Sequence, residues 1–481
     1  MPELRPLQEV DEPRLFEDTF PHVLPPRIHL DGTVTETVEG KTYEADLSSV
    51  ADRELVITDT TFRDGQQARE PYTIDQIVHL FELMSRLGGP NGIVRWTEFF
   101  LYSKKDRLAV DACRELDLDY PAITGWIRAD PGDLQLVKDM ELKETGLLTS
   151  CSDYHIFMKM RSDRKKTLDA YLAVVQEALE AGIRPRCHLE DMTRADIFGF
   201  VIPFVQRLMR LGEQVPEHMR PKLRLCDTMG FGIPYIGAAL PRSIAKLVLL
   251  MRHECGVPPE SLEWHGHNDF HKVFANACTA WVFGANALNA TLLSIGERTG
   301  NPPLEAAVFE YAGLKGSLDG MDPRVVTEIA EYYRSIGVRI SVRYPLVGDN
   351  FHKTRAGIHA GGLMADERVY NIFDTTALLD RPPEVAITDK SGADGIALWV
   401  NNFLGLKGKD RIKMTKMVKI MRWVMDQYDL HGRTTAISDQ EMIEQVKKHL
   451  PAAYKQAAEE DRLTLVHHEE GNLGVRHRAL V

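Results

Sequence analysis

Two histidines separated by one residue stand in residues 264–269, directly after a short apolar run that is typical of a strand. Side chains two positions apart on a strand share a face, so His265 and His267 are predicted to point their imidazoles into one space. Such a pair often begins a divalent metal site, but it also occurs where histidines cap a loop or fill a core. Taken alone, the pair leaves both interpretations open.

The predicted strand ends supply the rest of a candidate site. Barrel enzymes carry their chemistry on the loops that follow the strands, and every predicted strand of this chain ends beside polar or ionisable residues. The first strand leads into Arg63 and Asp64, and Asp64 facing the two histidines would form a site of two imidazoles and one carboxylate. This donor set suits Mg²⁺, Mn²⁺, Co²⁺, Zn²⁺ or Fe²⁺ with open positions for a substrate. Asp64 is preferred to Asp59, which lies within the strand and could equally be a structural partner of Arg63.

An arginine beside open metal positions suits a 2-oxo acid as substrate. The ion would polarise the keto group as a Lewis acid, and Arg63 would stabilise the negative charge that develops on the keto oxygen. The alternative for Arg63 is a purely structural ion pair inside the barrel.

The elements that must position these residues begin at residue 54, where apolar strand-like runs start to alternate with amphipathic helical patterns. Eight such units predict a closed (β/α)8 TIM barrel. An open doubly wound sheet is the alternative, but it would need a phosphate-binding glycine loop after its first strand, and none stands there. The predicted strands are residues 55–60, 93–99, 122–127, 146–150, 185–189, 223–226, 262–265 and 287–294. The predicted helices are residues 74–87, 103–116, 133–140, 165–181, 197–211, 233–255, 270–283 and 303–314.

The whole chain is predicted to consist of four segments. The barrel is preceded by an extension and followed by a smaller mixed subdomain and a charged, mostly helical tail. The segments are residues 1–53, 54–316, 317–406 and 407–481.

Local patterns outside the barrel give further expectations. Residues 27–30 and 33–38 alternate like the strands of a hairpin, with turn residues after each. In the second subdomain, residues 338–344 are predicted to be extended and residues 355–362 to form a glycine-bounded loop.

Composition excludes several classes of protein. The 481 residues are 44% hydrophobic and 27% charged, which is typical of a globular chain, and the net charge of −12 without a basic run argues against nucleic acid or a membrane surface as partner. No apolar run approaches the roughly 18 residues of a membrane span. The six cysteines are scattered and the start shows no secretory signal, so we expect reduced cysteines and a cytoplasmic location.

Several separated motifs resemble those of the DRE-TIM metallolyases, the family of the isopropylmalate, homocitrate and citramalate synthases and of hydroxymethylglutaryl-CoA lyase. They occur in the family order and at similar spacing, and the resemblance covers about residues 55–400. The motifs are residues 60–67, 190–194, 227–230, 265–269, 296–301, 356–359 and 370–374.

The resemblance implies a role for each matching position. A divalent metal, most readily Mn²⁺ but also Mg²⁺, Co²⁺ or Zn²⁺, would be bound by Asp64, His265, His267 and Asn301. Arg63 resembles the arginine that polarises the keto group. Glu190 and Thr228 resemble a substrate-organising pair, and Gln67 is expected to contact the substrate.

His359 and Tyr370 resemble the catalytic pair that the synthases insert into the barrel of the neighbouring subunit. The resemblance therefore implies a homodimer with shared active sites. The alternative for His359 is a loop histidine that binds backbone within its glycine-rich turn.

The implied reaction is a Claisen-type condensation of acetyl-CoA with a 2-oxo acid, followed by hydrolysis of the thioester. The chain would then be an acyltransferase that converts an acyl group to an alkyl group on transfer. A base, His359 aided by Tyr370 or Glu190, would take a proton from the acetyl methyl group.

The expected acceptor is oxaloacetate, with citrate as product, because four stretches look most like the Re-citrate synthases. His155 stands about where homocitrate synthases carry an arginine for the distal carboxylate, and Arg128 or Arg161 could assist it. The four stretches are residues 88–92, 97–102, 124–128 and 152–157.

Three other functions remain as alternatives. The first is a homocitrate, isopropylmalate or citramalate synthase that uses another 2-oxo acid. The second is a hydroxyacyl-CoA lyase, although those enzymes use a cysteine near the eighth strand and no cysteine follows Cys278 here. The third is a non-catalytic metabolite sensor, which would be expected to have lost metal ligands.

Overall fold

The computed structural model describes residues 4–467 and 473–475. The chain divides into two compact units, one of residues 27–333 and the other of the residues up to 26 together with those from 334 onward. Residues 27–53 and 317–333 thus belong to the same unit as the barrel, whereas the sequence placed them in the N-terminal extension and the second subdomain.

Eight parallel strands of the larger unit close into a barrel in which each strand pairs with the next along the chain and the last pairs with the first, and helices follow the strands around it. The (β/α)8 fold predicted from the alternation of strands and helices is confirmed. The barrel strands are β3 Val56–Asp59, β4 Val94–Phe100, β5 Ala122–Arg128, β6 Glu144–Leu148, β7 Arg184–Leu189, β8 Lys222–Asp227, β9 Leu262–Gly266 and β10 Ala287–Ala290.

Most strand residues are buried, because the helices cover the outer face of the barrel and side chains fill its interior. All six residues of β8 are buried although the strand contains Lys222, Arg224 and Asp227. The two cations are accommodated because they find partners inside the barrel: Arg224 binds Glu263 on β9, and Lys222 binds Glu144 on β6. Asp227 accepts a hydrogen bond from Thr193. Buried charges are tolerated only when they are paired in this way.

Glu98 on β4 is the centre of this network. Its carboxylate accepts hydrogen bonds from Arg63, Arg186 and Arg224, and His188 lies 3.4 Å away. Burial alone would raise the pKa of Glu98, but the charge of Arg224 and its neighbours outweighs burial and holds that pKa well below its usual range. The barrel interior therefore contains an ion-pair network that holds the guanidinium of Arg63 in place.

The helices around the barrel match the predicted pattern, with two exceptions at their starts. The sixth begins at Ile244 rather than at residue 233, because Ser243 caps it by accepting a hydrogen bond from the amide of Lys246 and the preceding residues form a loop. The fifth begins at Ile202, after a single π-helical turn. The helices are α1 Ile74–Gly88, α2 Lys104–Arg114, α3 Pro131–Asp139, α4 Arg164–Glu180, α5 Ile202–Gly212, α6 Ile244–His253, α7 Val273–Phe283, α8 Leu304–Lys315 and α9 Val325–Ser335.

A hairpin precedes the barrel, but not the predicted one. Strand β1, Thr33–Val38, pairs antiparallel with β2, Lys41–Asp46, and residues 27–30 form no strand. The prediction failed because it chose the wrong turn. Glu39 and Gly40 both have positive φ, +47° and +78°, as the two-residue turns that suit a twisted hairpin require.

The smaller unit is mainly helical. A short parallel pair, β11 Lys353–Thr354 and β12 Glu384–Val385, precedes a core around Trp399, Phe403 and Met442. Its helices are α10 Gly357–Ala365, α11 Thr375–Leu379, α12 Gly392–Phe403, α13 Val418–Asp429, α14 Asp439–His449 and α15 Pro451–Glu459, and β13 Leu465–His467 pairs with β14 Leu473–Val475. Across the described ranges, no helix is long and apolar enough to cross a membrane.

Two predictions within this unit are wrong. Residues 338–344 form no strand, and residues 355–362, predicted as a loop, contain the start of α10. Glycine weakens a helix, which is why this stretch was predicted to be a loop. Here the glycines allow close packing instead: a Cβ on Gly357 would lie 2.5 Å from the carbonyl oxygen of Ser391, and one on Gly361 would lie 2.9 Å from Asp394.

Candidate metal and active site

Asp64, His265 and His267 lie together, buried, at the carboxyl ends of β3 and β9, which only β10 separates. The Nε2 atoms of His265 and His267 lie 3.8 Å and 3.7 Å from Oδ2 of Asp64. One donor atom from each of the three residues lies within 4.8 Å of the other two. The structure thus brings together the three residues that the sequence analysis proposed for one site.

The two oxygens of Asp64 have different surroundings. Oδ1 accepts a hydrogen bond of 3.0 Å from Nη1 of Arg63, whereas Oδ2 is buried without a hydrogen-bond partner and faces the two imidazoles. Burial alone would raise the pKa of Asp64, but the charge of Arg63 outweighs it and lowers that pKa below its ordinary value. An ionised carboxylate with one unused oxygen therefore points into the site.

Asn301 contributes a second unused oxygen. Its side-chain nitrogen donates to the carbonyl of Gly266 at 3.2 Å, and its Oδ1 is buried without a partner. Gly296 makes room for this amide, because a Cβ at that position would come within 1.6 Å of Oδ1. The glycine that begins the motif at residues 296–301 is therefore a packing requirement of Asn301.

These residues fit a divalent cation. Leaving two buried oxygens unpaired is unfavourable unless something binds them. Burial also lowers the pKa of both His265 and His267, so their imidazoles are neutral and can donate a lone pair. One carboxylate, one amide oxygen and two neutral imidazoles form a donor set that divalent metals accept. The individual ligand roles stay predictions.

Arg63 lies beside this cluster and is almost fully buried. Its Nε donates to Glu98 at 2.9 Å, and its guanidinium carbon lies 5.0 Å from the centre of the Trp126 ring. Asp59, considered as its structural partner, does not bind it. Instead, Asp59 accepts hydrogen bonds from Thr61 and Thr97, and burial raises its pKa to about 7.

A second polar group surrounds Glu190, after β7. His155 Nδ1 lies 3.0 Å from Glu190, Ser150 donates a close hydrogen bond to the same carboxylate, and Lys159 Nζ lies 3.4 Å away. Burial alone would raise the pKa of Glu190, but the hydrogen bonds from His155 and Ser150 outweigh it and bring that pKa to about 2. His155 is therefore already engaged with a carboxylate of the protein.

Thr228 and Arg298 hold the loops around the site. The Thr228 hydroxyl accepts a hydrogen bond of 2.8 Å from the backbone amide of Asp191. The Thr228 carbonyl accepts a close hydrogen bond from Arg298, which also pairs with Asp269 at 2.9 Å. These contacts join the loops that follow β7, β8, β9 and β10.

Within the described residues, the side chains of three predicted substrate-binding residues form no hydrogen bond or ion pair with the proposed metal ligands or with Glu190. Arg128 forms an ion pair with Asp133 at the start of α3, with contacts of 2.7 Å and 2.8 Å. Arg161 and Gln67 are exposed. The roles of these three residues in binding the acceptor stay predictions.

His359 and Tyr370 lie side by side in the smaller unit, with ring centres 4.4 Å apart. Both side chains are exposed. His359 lies within α10, so its description as a loop histidine is wrong. The pair is thus formed within one chain, and its role stays a prediction.

Sequence reasoning missed Lys159 and Asn289. Lys159 lies four residues after His155, a spacing that places two side chains on one helical face, and both reach the Glu190 carboxylate. Asn289 is a lone polar residue in the buried strand Ala287–Ala290, and its oxygen lies 2.8 Å from Nδ1 of His265. Isolated polarity inside an apolar strand was the available signal.

A closed (β/α)8 barrel with two imidazoles, a carboxylate and an amide at the carboxyl ends of its strands defines the class of TIM-barrel enzymes that use a divalent metal. The HMGL-like family model matches residues 54–332, and the chain belongs to this family, the DRE-TIM metallolyases. The family relationship implied by the sequence motifs is confirmed.

Three curated relatives extend the comparison. A Citrate (Re)-synthase of Syntrophus aciditrophicus is 51% identical over 93% of this chain and 69% of its own length. A Citrate (Re)-synthase of Clostridium kluyveri is 47% identical over 94% of this chain and 97% of its own length. A 2-phosphinomethylmalate synthase of Streptomyces hygroscopicus is 36% identical over 92% of this chain and 98% of its own length.

Proposed function

We propose that this chain condenses acetyl-CoA with oxaloacetate and hydrolyses the thioester, giving citrate and coenzyme A. The observation that carries the proposal is the position of Arg63, which lies against Asp64 beside the two imidazoles. The names of the two relatives at 51% and 47% identity support the same reaction. The chain would therefore be an acyltransferase that converts an acyl group to an alkyl group.

The family resemblance favours Mn²⁺, with Mg²⁺, Co²⁺ or Zn²⁺ as alternatives, and the proposed ligands are Asp64, His265, His267 and Asn301. Such an ion would supply Lewis-acid activation of the keto group. Arg63 would donate a hydrogen bond to the keto oxygen as negative charge develops on it. Glu98 and Asp64 fix the guanidinium in advance, which is what electrostatic stabilisation requires.

The reaction balances with acetyl-CoA and water as the other reactants. The acetyl methyl group loses a proton to a base, its carbon bonds to the keto carbon of oxaloacetate, and the keto oxygen gains a proton. Water then replaces coenzyme A at the thioester carbonyl, releasing the thiol and leaving a new carboxylate. His359 is the proposed base, with Tyr370 against its ring as the partner that orients it.

The second carboxylate of the acceptor needs a cation. His155 was the first candidate, but it is bonded to Glu190. We therefore add Lys159, whose ammonium group lies 3.4 Å and 3.5 Å from the oxygens of Glu190 and is more than half exposed. The contact is long and its lysine end is exposed, so a substrate carboxylate can compete for the lysine. Arg128 is no longer favoured as a helper because Asp133 already binds it, and the role of Arg161 stays a prediction.

The exposed His359–Tyr370 pair supports a homodimer with shared active sites. Exposed catalytic side chains can act only where another surface encloses them with the substrate, and a second copy of the chain would supply that surface. In this arrangement each active site would combine the metal ligands of one subunit with the His359 of its partner. The cytoplasmic location stays a prediction.

A panel of acceptors tests the proposed function. Thiol release from acetyl-CoA is measured with oxaloacetate, 2-oxoglutarate, 2-oxoisovalerate and pyruvate, and the product is identified by mass spectrometry. We expect oxaloacetate to give the highest kcat/KM and citrate as product. A clear preference for 2-oxoisovalerate would instead assign the chain to the isopropylmalate synthases. Cleavage of a hydroxyacyl-CoA without any condensation would assign it to the lyases.

A further inference from the structure

A line of buried hydrogen bonds begins at Nδ1 of His265, on the side of the imidazole ring away from Asp64. Nδ1 of His265 lies 2.8 Å from Oδ1 of Asn289, and Nδ2 of Asn289 donates to Oγ1 of Thr58 at 2.9 Å. Thr58 in turn makes a close hydrogen bond to Oε1 of Glu263. All four side chains are buried, so water does not compete for these bonds.

The direction of this line is fixed at its far end. Arg224 donates hydrogen bonds to both oxygens of Glu263, at 2.6 Å and 3.2 Å. A carboxylate only accepts hydrogen bonds, so Thr58 must donate its single hydroxyl hydrogen to Glu263. The Thr58 oxygen then accepts from the amide nitrogen of the next residue in the line, Asn289.

The orientation of Asn289 therefore decides the tautomer of His265. With its nitrogen facing Thr58, the asparagine presents its oxygen to His265, and that oxygen can accept only from an N–H at Nδ1. The lone pair of the imidazole then lies on Nε2, the atom that faces Asp64 at 3.8 Å. His267 has no comparable support, because its Nδ1 is buried without a hydrogen-bond partner.

We infer that Asn289 and Thr58 are positioning residues for the metal site, which hold His265 in the one tautomer and orientation that can bind the ion. Neither residue contacts the ion or the substrate in this account. The inference rests on the proposed function only in that Asp64, His265 and His267 bind a divalent cation. Partners of this kind behind a ligating histidine typically change metal affinity by about ten- to a hundredfold when they are removed.

Mn²⁺ binding to the full-length chain tests the inference without relying on activity. The variants are Asn289→Ala, which removes the acceptor, and Thr58→Val, which keeps the shape of threonine but breaks the line one step further away. The concentration of free Mn²⁺ is measured by electron paramagnetic resonance. We expect Kd to rise by about ten- to a hundredfold in Asn289→Ala and by a smaller factor in Thr58→Val.

Two controls separate positioning from general damage. Thr145→Val removes another buried barrel hydroxyl, whose bond is to the carbonyl of Gly146, and should leave the Kd for Mn²⁺ unchanged. Thr58→Ser restores the hydroxyl and should restore the affinity. In ¹⁵N-histidine-labelled protein without metal, His265 should show a proton on Nδ1, and Asn289→Ala should lose that preference.

The outcomes distinguish this inference from the proposed reaction. Mn²⁺ affinity within twofold of wild type in both Asn289→Ala and Thr58→Val would overturn the inference, as would a proton on Nε2 of His265 in the wild-type chain. Equal Mn²⁺ binding by wild type and Asp64→Ala would instead remove the metal site itself. Normal Mn²⁺ binding without condensation would contradict the proposed reaction and leave the role of Asn289 intact.

Discussion

Arg63 and Glu98 form a buried ion pair, with Nε of the arginine 2.9 Å from Oε2 of the glutamate. The same arginine binds one oxygen of Asp64 and leaves the other facing the two imidazoles. The barrel interior therefore orients the residue proposed to stabilise the keto oxygen, and it also selects which oxygen of Asp64 is available to a metal. The structure shows the ion pairs of Arg63 inside the barrel, and its proposed role in catalysis is compatible with them but stays a prediction.

Replacing Glu98 tests the structural half of this arrangement. Glu98→Gln leaves Arg63, Arg186 and Arg224 facing one another inside the barrel without their shared carboxylate. We expect a loss of about 3–5 kcal/mol in the free energy of unfolding, as when one partner of a buried pair is removed. The measurement is chemical denaturation followed by circular dichroism.

The matched control for that change is Glu328→Gln, which breaks an exposed pair with Arg86. This change should lower the free energy of unfolding by less than about 1 kcal/mol. Similar losses in Glu98→Gln and Glu328→Gln would show that the buried network does not support the barrel in the proposed way.

Lys159→Met tests the cation proposed for the second carboxylate of the acceptor. We expect KM for oxaloacetate to rise about tenfold, which is near 1.4 kcal/mol of lost binding, while KM for acetyl-CoA stays the same. Lys159→Arg should recover most of the affinity. The control is Lys165→Met, on an exposed lysine paired with Asp169. An unchanged KM for oxaloacetate in Lys159→Met would remove this residue from the acceptor site.

Asp59 predicts a pH dependence of stability. Burial raises its pKa to about 7, so the folded chain keeps a proton that the unfolded chain releases near the ordinary value of 3.8. Stability from this group is complete below that ordinary value and falls as pH rises toward about 7, by up to about 1.4 kcal/mol per pH unit. Above about 7 the loss levels off.

Asp59→Asn removes this ionisation. Between about pH 5.5 and 7, the wild-type chain should lose roughly 2 kcal/mol of unfolding free energy relative to the variant, and the difference should be constant from about pH 8 upward. Denaturation curves at a series of pH values measure this difference in unfolding free energy. Parallel pH profiles for the two chains would indicate that Asp59 is ionised throughout in the folded state.

Mixing two inactive variants tests the shared active site. His359→Ala lacks the proposed base, and Asp64→Ala lacks a proposed metal ligand. If His359 acts in the barrel of the partner, a mixed dimer contains one complete site. Dissociating and reassociating the two variants in equal amounts should then restore roughly a quarter of wild-type activity, since half of the dimers are mixed and each has one working site of two. If no activity returns on mixing, the base acts within its own chain.

The sequence was sufficient for the barrel because each strand and helix carries its own local pattern. The eightfold alternation of buried strands and amphipathic helices can be recognised without any information on long-range contacts. The position of Asp64 opposite His265 and His267 followed as well, because in a parallel barrel all strands end at the same face. Asn301 depended on the family resemblance, since an asparagine in a loop has no distinctive pattern.

Other features depend on contacts that no local pattern encodes. Helix α10 was missed because its glycines serve packing against α12, and glycine ordinarily indicates a loop. Arg128 was proposed for the substrate because arginine suits a carboxylate, but Asp133, only five residues away, already binds it. Lys159 was overlooked because its i, i+4 spacing to His155 does not reveal its contact with Glu190, which lies 31 residues further along the chain.

The most direct test of the central claim is thiol release from acetyl-CoA in the presence of oxaloacetate. The rate is measured before chelation, after chelation and after return of Mn²⁺, for the wild type, Asp64→Ala and His267→Ala. We predict that wild-type activity disappears with the metal and returns with it, and that both variants are inactive although their circular dichroism spectra match wild type. Thiol release near the wild-type rate in either variant, or in the fully chelated wild-type chain, would contradict the account.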